Sequence, residues 1–124
     1  MWRAEDPKSR IKHFNSGQFF EALTDTTDIW FLVFYNNTSH DDFDNWYKIK
    51  EVAEKTHEYC KIGAVSITDP MNVDWVKSLG ITNTLQIFVI GQKNPTKHIF
   101  NNLDKETDWI LTQFRYVLWD EQGP

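Results

Sequence analysis

Thiols are scarce in this chain of 124 residues: Cys60 is its single cysteine. It cannot close an internal disulfide, so an intramolecular dithiol is excluded, while the count neither demands nor forbids an oxidising compartment. Long apolar runs are missing too. The longest, Ile29 to Tyr35, falls far short of a membrane span. The first residues, Met1-Trp2-Arg3-Ala4-Glu5-Asp6, lack the apolar stretch of a signal peptide, and a soluble chain with no membrane partner is expected. Positive charge is in deficit, with 13 basic against 18 acidic side chains and a formal charge of −5. The basic residues are scattered rather than gathered in a stripe, which argues against nucleic acid as a partner. There is no internal repeat, low-complexity tract or second-domain boundary.

What is present is aromatic weight: six Trp and nine Phe in a composition that is 40% hydrophobic. That is enough apolar material for one globular body and too little chain for two. A single domain over residues 10–119 is expected, with 1–9 and 120–124 as flexible ends.

Along the chain, Ile11 to Phe14 alternates like a short strand, and Asn15 or Ser16 is placed to cap a helix carrying Phe19, Phe20, Ala22 and Leu23. Ile29 to Tyr35 is apolar without alternation, the pattern of a central strand covered on both faces. From Asp41 to about Tyr59, apolar residues at helical spacing predict a long amphipathic helix. Lys61 to Ile67 is strand-like, and Val73, Val76 and Leu79 suggest a short helix stopped by Gly80. Gln86–Ile90 and Lys97–Phe100 form an expected hairpin. Ile110, Phe114, Val117 and Leu118 line one face of a last helix beginning near Asp104. The order β-α-β-α-β-α-β-β-α needs parallel crossovers and one antiparallel hairpin, so an α/β fold with a central mixed β-sheet flanked by helices is expected.

That order, with Trp30-Phe31-Leu32-Val33-Phe34-Tyr35, Lys61-Ile62-Gly63-Ala64-Val65, Leu79-Gly80-Ile81 and Ile87-Phe88-Val89-Ile90-Gly91, resembles the thioredoxin-like domains of protein disulfide isomerases over residues 10 to 118 or so. The resemblance implies a thioredoxin fold. It also shows what has gone. Active members carry Cys-Gly-His-Cys at the first turn of the long helix, and the matching positions here are Ser39, His40, Asp41 and Asp42. The family's cis-proline before the hairpin matches Leu85, where a trans bond is expected because a non-proline cis peptide costs about 2.5–4 kcal/mol. The buried glutamate of active domains matches Val33. No thiol remains for a helix N-terminus to activate, so this domain is expected to be non-catalytic and without cofactor.

Each conspicuous residue has a plain reading. Ser39 is an N-cap with Asp42 at the capping-box position, and Asp41, Asp42 and Asp44 lie near the positive end of the helix dipole. Adjacent Ser, His and Asp cannot form a hydrolase triad, whose members converge from separate positions. His40 and Asp44 supply only two facing ligands, so no metal site is assigned. Cys60 reads as a buried structural thiol. His13, His57 and His98 are isolated. Trp30, Phe31, Phe34, Phe88 and Phe114 are assigned to the core, and Trp46, Tyr47, Trp75 and Trp109 to element ends near the surface. Asn36-Asn37-Thr38 and Asn37-Thr38-Ser39 are overlapping glycosylation sequons, candidates at Asn36 and Asn37 in a secretory compartment.

The function the resemblance implies is binding of unfolded or partner polypeptides, within a larger disulfide-isomerase-like, chaperone-type protein of the endoplasmic reticulum lumen whose other domains carry any catalysis. The binding positions expected are Phe43 and Trp46 on the long helix, and Thr84 and Leu85 beside the former cis-proline. The alternative is a scaffold domain for one folded partner, cytoplasmic and linked to a co-chaperone.

Overall fold

The structure is a computed structural model that describes residues 10–24, 28–90 and 96–99, with Thr112 and Arg115 as isolated helical positions. The elements are β1 (Ile11–His13), α1 (Ser16–Thr24), β2 (Trp30–Tyr35), α2 (His40–Thr56), β3 (Lys61–Ser66), α3 (Val73–Ser78), β4 (Gln86–Ile90) and β5 (Thr96–Ile99). The expected last helix with Ile110, Phe114, Val117 and Leu118, the hairpin turn, Trp109, both termini and the side chain of His98 lie outside the described residues.

The five strands form one sheet in the order β1-β3-β2-β4-β5. β1 and β2 run parallel to β3, while β4 pairs antiparallel with β2 and with β5. The sheet is therefore mixed, as the sequence order requires. β2 sits in the middle, and its unbroken apolar run serves two cores at once. Phe31, Val33 and Tyr35 enter one cluster with Trp46, Ile49, Val52 and Ala53 of α2. Leu32 and Phe34 enter the other with Phe19 and Ala22 of α1 and Val76 of α3. With side chains alternating between faces, a strand covered by helices on both sides has no polar face to show.

Local chemistry sets the helix ends. At α1, the Asn15 side chain accepts from the Gln18 amide at 3.0 Å and the Gln18 side chain accepts from the Asn15 amide at 2.8 Å, a reciprocal capping box. At the end of α3, Gly80 adopts φ 76°, and its amide and that of Ile81 return to the carbonyls of Lys77 and Val76 at 2.9 and 3.4 Å. That is a Schellman closure, and Val76 and Ile81 are both buried in the same cluster. β3 passes so close to β2 and the strand end at Phe14 that a Cβ on Gly63 would lie 2.7 Å from Leu32 Cδ2 and 2.9 Å from the Phe14 ring.

The aromatic residues distribute less simply than the sequence suggests. Trp46 is 5% exposed and packs against Tyr35 with ring centroids 4.9 Å apart, so it is core. Trp75 is half-buried beside Phe19, with centroids 5.0 Å apart. Trp30 and Phe88 are only partly buried at the edge of their cluster, and Phe20 is 62% exposed on the outer side of α1. Among the described residues no helix is long and apolar enough to cross a membrane.

Candidate functional site

The register of β2 and β4 brings three loops to one end of the sheet. Gln86 opposes Phe34, so Thr84 and Leu85 lie beside the C-terminal end of β2, where Asn36 to Ser39 lead into α2. The segment after β3 is fastened to the same loop: the Thr68 hydroxyl donates to Asn37 Oδ1. With its proton committed there, Thr68 Oγ1 accepts from Ser66 Oγ at 3.2 Å. Asn72, 3% exposed, donates to the Ser66 carbonyl and accepts from the Trp75 indole, both at 3.0 Å.

Ser39 to Asp42 open α2 as the sequence indicates, with one difference. Ser39 is the N-cap and its hydroxyl accepts from the Asp42 amide at 3.2 Å. The Asp42 carboxylate does not turn back to the Ser39 amide to complete a capping box. It is 2% exposed and accepts from the Asn36 amide at 2.8 Å, tying the end of β2 to the first turn of α2. The Ser39 amide is taken by the Asn36 carbonyl at 3.0 Å, which leaves the carboxylate to the next donor within reach. A buried anion there is held by a charge-assisted bond and by the helix dipole. The first turn of α2 thus carries a structural carboxylate at Asp42.

His40 and Asp44 form an exposed pair, Nε2 to Oδ2 3.8 Å, and the His40 ring stacks on Phe43 with centroids 6.3 Å apart. Among the described residues no three His, Cys, Asp or Glu side chains gather as metal ligands. Asn36 and Asn37 are half-buried, and the Asn36 side chain accepts from the Thr38 amide at 2.8 Å and from its hydroxyl at 2.5 Å.

The four expected binding positions divide. Phe43 is 52% exposed and Thr84 half-buried, whereas Trp46 at 5% and Leu85 at 1% exposure cannot offer side chains to a partner. Trp46 turns inward because its helical spacing puts it on the stripe with Ile49, Val52 and Ala53. Leu85 fills the same cluster. The Thr84–Leu85 peptide is cis, contrary to the expectation of a trans bond; the backbone route into β4, with Leu85 buried, overrides the preference of an isolated peptide. Sequence reasoning passed over Tyr47 (60% exposed) as a site residue, together with Met71 (79%) and Val73 (39%). Tyr47 follows Phe43 by one helical turn, a spacing that was readable, whereas Met71 and Val73 belong to a loop and helix start whose placement depends on the tertiary fold.

Cys60 lies far from this end, at the entry to β3. It is 5% exposed, its thiol points to the Thr56 carbonyl at 3.7 Å, and burial pushes its pKa up.

No protein-family model matches the chain, and no curated protein is similar to it in sequence. Solved structures are similar in shape. The J-Trx1 fragment of ERdj5 superposes with a TM-score of 0.74 at 16% identity, covering 88% of this chain and 52% of that one. Chloroplastic thioredoxin z gives 0.69 at 13% identity, covering 92% of this chain and 96% of that one. Thioredoxin f2 of Chlamydomonas reinhardtii gives 0.69 at 11%, covering 92% and 98%. The chain has the thioredoxin fold. This thioredoxin fold spans about half of the J-Trx1 fragment and 14% of an ERdj5 chain in its form II. Within it, Ser39 and Asp42 lie at the start of α2, just after the C-terminal end of β2.

Proposed function

We propose that the chain is a redox-silent thioredoxin-like domain of a disulfide-isomerase-like protein of the endoplasmic reticulum lumen, binding unfolded or partner polypeptides. The observation that carries this reading is the apolar exposure at the dithiol end of the fold. Phe43 and Tyr47 on α2, and Met71 and Val73 across the β3–α3 loop, are exposed around loops held by the Asp42, Thr68 and Asn72 hydrogen bonds. Exposed large apolar side chains suit extended apolar segments of polypeptide. Thr84 adds backbone polar groups at the same end of the sheet. The similarity to ERdj5 fragments and the sequons at Asn36 and Asn37 support the lumenal assignment.

The test is fluorescence anisotropy of a labelled, cysteine-free unfolded polypeptide. Saturable binding that weakens at least about tenfold in Phe43→Ser/Tyr47→Ser, as for paired aromatic hot spots, is expected. Affinity unchanged by the double substitution contradicts the reading. Capture of one folded partner, with no binding of unfolded chains, favours the scaffold alternative.

A further inference from the structure

At the opposite end of the sheet, where β2 and β3 begin and α2 ends, lies a cleft of about 630 Å³. Its walls carry Arg10, Lys12, His57 and Lys61, with Glu54 as the one carboxylate among the described residues of the lining and Trp30 as an aromatic wall. In a chain of formal charge −5 this concentration of cations runs against the whole. The basic groups are arranged rather than loose. Arg10 Nε is held by both Glu54 oxygens at 3.1 and 3.2 Å, which leaves the Nη groups of the guanidinium as further donors. Lys61 Nζ lies 2.8 Å from Asp28 and 5.5 Å from the Trp30 ring centroid. Lys12 Nζ sits over Phe14 at 5.9 Å. Counting Asp28 with Glu54 against Arg10, Lys12 and Lys61 still leaves a positive surplus, and His57 adds a donor. An exposed ion pair on its own contributes little, but several cations lining one concavity raise its positive potential. The volume is that of an ordinary small-ligand site.

We propose that this cleft binds a small organic phosphate, its anionic group among Arg10, Lys12, His57 and Lys61 and its less polar part against Trp30. The site shares no residue with the polypeptide surface and stands or falls separately from it. The probes are adenosine monophosphate, inorganic pyrophosphate and, as the uncharged control, adenosine, each titrated into the isotope-labelled full chain at low salt while backbone amides are followed. Saturable shifts centred on Lys12, His57 and Lys61 with the monophosphate, and none with adenosine, are expected; pyrophosphate moving the same amides also supports the anion site. Lys12→Glu and Lys61→Gln are each expected to weaken binding about tenfold, the loss of one charge-assisted contact. Lys55→Gln, on α2 but outside the lining, retains affinity. Lys12 is exposed on an edge strand, so its substitution leaves the fold intact even where Lys61→Gln disturbs the pair with Asp28. Shifts that fail to saturate at millimolar ligand, equal binding of adenosine, or affinity unchanged in Lys12→Glu overturns the proposal.

Discussion

Cys60 shows what one residue's surroundings decide. Burial disfavours the thiolate, so its pKa is raised and its thiol is a poor nucleophile despite being the chain's single cysteine. A thiol whose pKa is raised in the folded state stays protonated there after the unfolded chain has begun to ionise. Its stability contribution is therefore complete below the unfolded thiol pKa and is lost as pH rises above it. Denaturant titrations from neutral to alkaline pH are expected to show a decline beginning near pH ~8.5 that is shallower in Cys60→Ala, because the unfolded thiol titrates there. An identical slope in the two proteins contradicts the assignment. Gly63 is decided by space: a methyl group there meets Leu32 and Phe14, both buried and neither able to yield without repacking. Gly63→Ala is expected to lower unfolding free energy by about 1–3 kcal/mol in urea melts, the range for overpacking.

At the scale of the element, the start of α2 is held by the Ser39 cap and by the buried Asp42 carboxylate. Ser39→Ala should cost about 1 kcal/mol, an ordinary N-cap loss. Asp42→Ala should cost more, about 1–3 kcal/mol, because it strands the Asn36 amide as well. Asp42→Asn keeps an acceptor and should recover part of that loss; thermal melts of the three variants give the ranking, and equal losses for Ala and Asn would refute the bond to Asn36. The sequence made the elements legible because their signals are local and redundant: the β2 run, the α2 stripe and Gly80 after α3 each carry their own pattern. The cap at Ser39 was legible for the same reason. The partner of Asp42 was not, since Ser39 and Asn36 both offer amides within reach and only the loop geometry chooses between them. Trp46 was misplaced because a tryptophan near a helix start reads as surface, although its spacing to Ile49, Val52 and Ala53 already put it on the buried stripe. At Leu85 the residue type argued for a trans peptide, and the surrounding fold prevailed.

For the whole molecule, the missing dithiol and the exposed apolar side chains point the same way. One buried thiol cannot exchange a disulfide through a resolving partner, so turnover of a reduced disulfide substrate should stay at the level of buffer; activity that survives Cys60→Ser would contradict this. The two ends of the sheet then differ in character, with exposed Phe43 and Tyr47 on the part of α2 that follows Asn36–Ser39 at one and cations around the start of β2 at the other. The most direct measurement is a titration of the isotope-labelled domain with an unfolded, cysteine-free polypeptide, following backbone amide shifts. Saturable shifts clustered at Phe43, Tyr47, Met71 and Thr84 are the expected result; no shifts at high ligand excess, or shifts confined to the far end of the sheet, would contradict a polypeptide-binding role for this surface.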